Sequence, residues 1–147
     1  MAEEKILARG WTIEMYGVSS YTAIGGINTF SLSSGKESST TTDFNSVGNA
    51  EHIPAERTKS VTSEGFFKED DTGTRDAGQE LIETLAEAVG PSGIGTLHLA
   101  SPGGGYEVWL NGSANLSDIG GGNNDPTSWG FEFERTGASL NADPNAA

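Results

Sequence analysis

A single helical segment, Asp76 to Gly90 (DAGQELIETLAEAVG), constrains the fold more than any other stretch of the chain. Asp76 suits an N-cap because its carboxylate can accept from free first-turn amides, and Gln79, three residues on, is placed to complete a capping box. Glu80 and Glu83 lie near the positive end of the helix dipole. Leu81, Ile82, Leu85 and Val89 recur at helical spacing and predict one apolar stripe, with Glu80, Glu83, Thr84 and Glu87 on the other faces. Gly90 can take the left-handed C-terminal conformation, and Pro91 prevents continuation. No other stretch shows helical spacing of comparable length, so the stripe has to dock on a sheet.

The rest of the chain reads as strands and turns. Trp11, Ile13 and Met15 alternate with Thr12 and Glu14, the signature of a half-buried strand. Tyr21 to Gly26 reads as a turn-rich connection. Phe30 and Leu32 mark a second strand that dissolves into Ser33, Ser34 and Gly35. Residues 33–57 are polar and read as one long loop, of the length that is commonly functional or disordered. Strand character returns from Thr58 to Phe67, then in Leu97 and Leu99, and after the Ser101-Pro102-Gly103-Gly104-Gly105 turn in Tyr106 to Leu110. The cleanest alternation is Trp129, Phe131 and Phe133 inward against Glu132 and Glu134 outward. Residues 1–10 read as a flexible arm and 137–147 as a flexible tail. Six or seven strands and one helix predict a mainly β, α+β single domain over 1–147: an antiparallel sandwich or partial barrel with the helix at about 76–89, closing one side or end. The helix-sheet core expected is Leu81, Ile82, Leu85 and Val89 against Trp129, Phe131 and Phe133. Such a sheet has edges rich in Thr, Ser and Gly that invite pairing with a neighbouring chain.

Charge narrows the function. Twenty-one acidic against 8 basic residues give a net charge of -13. From Asp76 onward, ten acidic residues face only Arg135, which makes -9 for that part and leaves -4 for Met1 to Arg75. Such a surface argues against sequence-reading contact with nucleic acid. Cysteine is absent, which removes disulfides and thiolate metal sites. No apolar run reaches membrane-spanning length, so a soluble protein kept without export is expected, and the sequons at Asn111 and Asn115 carry no weight.

No motif supports catalysis or a cofactor. His52 and His98 lack partners at ligand spacing and read as surface or packing residues. Ser92 lacks the glycine spacing of a nucleophile elbow. Gly103 to Gly105 sits in a hairpin and is followed by no phosphate-binding Lys. The loop around Asp118 lacks the repeated acids of a calcium site, and nothing distinguishes two of the 21 acids as a glycosidase pair. We therefore expect no enzyme activity, no metal and no cofactor. A carbohydrate-binding or receptor-binding β-sandwich using Tyr21, Tyr106 and Trp109 remains as the alternative.

From Trp11 to Arg135 the order of segments resembles that of the major tail tube proteins of long-tailed bacteriophages. The similar stretches are AIGGINTFSLSSGKESSTTTDFNSVGNAEHIPAERTKSVTSEGFF, the capped helix, GTLHLASPGGGYEVWLNGSANLSD and the closing WGFEFER. The resemblance implies a structural virion protein, assembled in the host cytoplasm, whose hexameric rings stack into a hollow tail tube around a tape-measure protein. Tail terminator and baseplate proteins are the further implied partners, and DNA transits the lumen without sequence-specific binding. On that reading the polar stretch 33–57 and the termini form contacts between subunits and rings. Within it Lys36, Glu37, Asp43, Phe44 and Asn45 are candidate contact residues, as are Glu51, His52, Ile53 and Arg57. Acids alternating with apolar partners in strands, namely Glu64, Glu107, Glu132 and Glu134, are the candidates for facing the lumen. An acidic wall offers a passing phosphate backbone no cation to bind.

Overall fold

The computed structural model of the 147-residue chain describes residues 5–137, apart from 18, 19, 44 and 46. Among the described residues there are seven strands: β1 (Thr12–Tyr16), β2 (Tyr21–Ala23), β3 (Ile27–Thr40), β4 (His52–Phe66), β5 (Gly95–Ala100), β6 (Glu107–Leu116) and β7 (Ser128–Arg135). The helix α1 (Ala77–Glu87) lies between β4 and β5 in the chain. All seven strands join one antiparallel sheet in the order β2-β1-β5-β6-β7-β4-β3. The two edge strands, β2 and β3, are consecutive in sequence and are joined only by Ile24, Gly25 and Gly26. So short a link requires the sheet to curl until its edges approach. The link is bonded into both edge pairs: Ile24 N–H donates to the Ile13 carbonyl of β1 at 3.0 Å, and Phe66 N–H, at the end of β4, donates to that of Gly26 at 2.8 Å. Trp11 also packs on Phe30 across the gap, with ring centroids 5.6 Å apart. The architecture is a partial barrel with one docked helix, and Tyr21 to Gly26, expected as turn alone, contains an edge strand.

Alternation along each strand sends one set of side chains to a common core. Ile13, Met15, Val61, Leu97, Leu99, Val108, Leu110, Ala114, Trp129, Phe131 and Phe133 are all buried together. Each large side chain among them contributes about 1.5 to 3 kcal/mol as an upper estimate. From α1, Ile82 is fully buried, and Leu81 and Leu85 pack against the same cluster. Val89 departs from the expected stripe, for it is 85% exposed. The helix ends at Glu87, and the C-cap Ala88 is already extended at ψ 148°, so residue 89 no longer follows the helical rotation that would carry it over the sheet. Gly90 has φ of +72° and opens a short 3-10 turn, Gly90–Gly93, with Pro91 at its start.

The start of α1 is tied to the barrel by polar groups. The Asp76 carboxylate accepts from Gln79 N–H at 3.1 Å, as an N-cap should, and also from Gly25 N–H at 3.0 Å. Gln79 does not close a capping box, because Asp76 N–H donates to the Lys68 carbonyl. Instead its buried amide Nε2 donates to the carbonyls of Gly25 at 3.0 Å and Phe66 at 2.8 Å, while Oε1 accepts from Lys68 N–H at 3.2 Å. Gln79 thereby clamps the link between the edge strands to the end of β4. Gly78 allows the approach, since a Cβ there would collide with the backbone of Ala23 and Ile24.

The polar stretch 33–57 is not a loop. β3 and β4 stay paired from Thr29↔Glu64 out to Thr40↔His52, with one irregularity between Glu37 and Ser38. Only the stretch 41–51 separates the two strands, and at its ends Thr41 N–H donates to the Glu51 carbonyl at 3.0 Å. β7 accompanies β4 only as far as Ser60↔Glu134. Past that point β3 and β4 run on as a two-stranded ribbon without a core beneath it, and so without the hydrophobic alternation that announces a strand. Residues 1–4 of the expected arm and 138–147 of the expected tail lie outside the described residues, as does Phe44. Among the described residues no helix is long and apolar enough to cross a membrane.

Candidate functional site

The ladder registers decide which side chains share the outer face of the sheet. Glu14 is opposite His98, His98 opposite Trp109, and Ala100 opposite Glu107. Ser113 is opposite Glu134 and Asn115 opposite Glu132, while Thr62 pairs with Glu132 and Ser60 with Glu134. Thr29 pairs with Glu64, and Glu37 with Glu56. Cross-strand partners and every second residue point the same way. The outer face therefore carries Glu14, Glu37, Glu56, Glu64, Glu107, Glu132 and Glu134, and no lysine or arginine of the seven strands. The four acids singled out from the sequence, Glu64, Glu107, Glu132 and Glu134, all lie on this face.

His98 lies on this face in β5, and it is enclosed. Its Nδ1 is 2.9 Å from Glu14 Oε1 and its Nε2 is 2.8 Å from Glu107 Oε1. Both contacts are hydrogen bonds donated by the ring only when each nitrogen carries a proton. The ring stacks on Trp109 at 4.5 Å and 13°, and Tyr21 lies 5.5 Å away. The sequence alone gave no signal for this cluster, because Glu14 and His98 are 84 residues apart. It holds two acids and no nucleophile, and among the described residues no group of three His, Cys, Asp or Glu side chains could hold a metal ion. The three aromatics considered for sugar binding do not form a platform. Trp109 is buried under His98, Tyr21 sits against Tyr16 and His98, and Tyr106 packs on Trp11.

The opposite face of the hairpin carries the contrary charge. Lys36 lies opposite Arg57 and Ser34 opposite Lys59, on the side that bears Leu32 and Val61 further down the ladder. Arg135, at the end of β7, donates from Nη2 to the Arg57 carbonyl at 2.8 Å. Four of the chain's 8 basic residues thus gather at the base of the hairpin, lining a cleft with Ser34, Gly35 and Thr58. At the other end of the ribbon His52 and Ile53 begin β4, Ile53 being 56% exposed. In the turn Glu51 N–H donates to Thr42 Oγ1 and Asn45 N–H to Asp43 Oδ1. The hairpin thus brings the described contact candidates together on one projecting element.

Acids elsewhere are partly committed. Arg75 pairs with Glu83 and sits 4.1 Å over the Phe67 ring, and that pairing raises its affinity for its proton. The Asp70 carboxylate accepts from Thr72 and Thr74 in an exposed turn, led by the Thr72 hydroxyl, which holds it below the usual carboxylate range.

No family model and no curated protein matches this chain. Solved structures do. A chain from the tail of an empty gene transfer agent particle, refined helically with C6 symmetry, superimposes with a TM-score of 0.70 at 19% identity, over 92% of this chain and 98% of that one. A chain from the virion of a native gene transfer agent particle gives 0.66 at 20% identity, over 92% and 97%. At these identities the likeness is one of fold, and it spans nearly the whole of both chains: this protein has the fold of a chain from a gene transfer agent tail.

Proposed function

We propose that this chain is a structural tail tube subunit, whose copies close into hexameric rings that stack into a hollow conduit for DNA. The observation that carries this reading is the segregation of charge. Acids from five of the seven strands share one sheet face without a lysine or arginine among them, which is what a wall passing phosphate needs. The shared fold with a chain of a C6-symmetric tail supports it. Glu64, Glu107, Glu132 and Glu134 line the bore, and the tube encloses a tape-measure protein and ends on terminator and baseplate proteins. The hairpin makes the contacts between subunits and rings, and no step is enzymatic. Beyond the seam, where backbone groups of β2 and β3 stay unpaired within the chain, neighbouring copies satisfy them.

Negative-stain electron microscopy of the concentrated protein tests the reading. Rings or hollow rods are expected; particles that stay single at every concentration overturn it. A second expectation concerns the hairpin. Deleting Lys36 to Ala55 removes most of the ribbon and spares the core, so the melting temperature should move by only a few degrees while rods disappear. Rods formed by the deletant would remove the hairpin from the contact.

A further inference from the structure

We infer that copies of this chain associate by laying the basic face of one hairpin ribbon on the acidic face of the next. The inference rests on the self-assembly reading and names the contact. Beyond Ser60 the ribbon has no other strand beside it, and a two-stranded ribbon alone is marginally stable. Its own charges make matters worse. Lys36 is directly opposite Arg57 on one face, and Glu37 is directly opposite Glu56 on the other. Like charges in these positions repel. A one-residue slip would alter the pairing, but it would also turn Phe30, Leu32 and Val61 away from the core, so the register is held. All four charged side chains are exposed, and none is in an ion pair among the described residues.

A partner that relieves both repulsions must be acidic towards one face and basic towards the other, at the same height along the strands. A second copy of the same ribbon meets this demand. Because the two faces differ, the contact is head to tail and can repeat from copy to copy, closing into a ring or continuing as a helix. Arg135, anchored on the Arg57 carbonyl, adds a cation at the root of the basic face.

Two variants and their mixture test this by sedimentation velocity. Lys36→Glu with Arg57→Glu replaces one like-charge pair by another, so the isolated chain should melt like the parent. At the height of the pairs its two faces are then both acidic, and the concentration for half-assembly should rise by on the order of tenfold or more. Glu37→Lys with Glu56→Lys should do the same with both faces basic, and an equimolar mixture of the two variants should recover assembly. Parent assembly should weaken between 0.05 M and 0.5 M NaCl, as roughly expected when the Debye length shrinks. Variants that assemble like the parent, or a mixture that stays dissociated, would overturn the face-to-face contact while leaving the tube reading standing. A parent that never assembles removes the tube reading itself. Capture of a labelled DNA duplex by the parent, lost in Lys36→Glu with Arg57→Glu, would assign the basic face to phosphate and overturn the proposal.

Discussion

Ile82→Asp should abolish the cooperative thermal transition, whereas Val89→Asp, seven residues on in the same expected stripe, should leave it within a degree or two. Ile82 is fully buried between α1 and the sheet, with no cation among its neighbours in the core cluster. An unpaired carboxylate there costs about 4 kcal/mol or more, against a whole stability on the order of 5 to 15. Val89 is 85% exposed, and a surface change of this kind stays within about 0.5 kcal/mol. Leu85→Asp should fall between the two, because Leu85 is only partly buried. Circular dichroism melts of the three variants rank them directly. Equal destabilisation at 82 and 89 would mean that the helix continues past Ala88.

The second large effect is expected at Gln79. Truncation in Gln79→Ala leaves the Gly25 and Phe66 carbonyls and the Lys68 N–H without the partner they share. Unsatisfied groups of this kind cost about 1 to 3 kcal/mol each, partly offset by water at the rim, so a loss of about 2 to 4 kcal/mol is expected. For a chain of this length that is roughly 6 to 12 °C in Tm. Gln79→Glu should be at least as damaging, although it keeps size and helix propensity, because an acceptor replaces the donor that faces two carbonyls. A Gln79→Glu variant that melts with the parent would show that the amide does not tie the edges together.

The difference between the capping box and the clamp shows how far local reading goes. Asp76 caps the helix through a bond to the third residue on, a relation contained within one turn, and spacing alone reveals it. The partners of Gln79 lie 54 and 13 residues away, and nothing in a four-residue pattern points to them. The same holds for His98, whose neighbours Glu14 and Glu107 become visible only when β1, β5 and β6 are placed side by side. The hairpin failed for another reason. Hydrophobic alternation reports a strand only where one face is buried, and β3 and β4 leave the core behind after Ser33 and Ser60. Their backbone ladder continues regardless, since inter-strand hydrogen bonds do not depend on apolar side chains.

By itself, the sequence determined the helix and its cap, the inward set Trp129, Phe131 and Phe133, and the outward acids that alternate with them. These follow from periods of 3.6 and 2, which short stretches of chain carry in full. The tertiary structure alone decided that the acids of five separate strands fall on one face and that four cations gather on the other side of the hairpin root. It also decided that a single curled sheet is tied by Gln79 at its seam. Strand order and register bring together residues that are dozens of positions apart, and such pairings are set by how the whole sheet closes over its core.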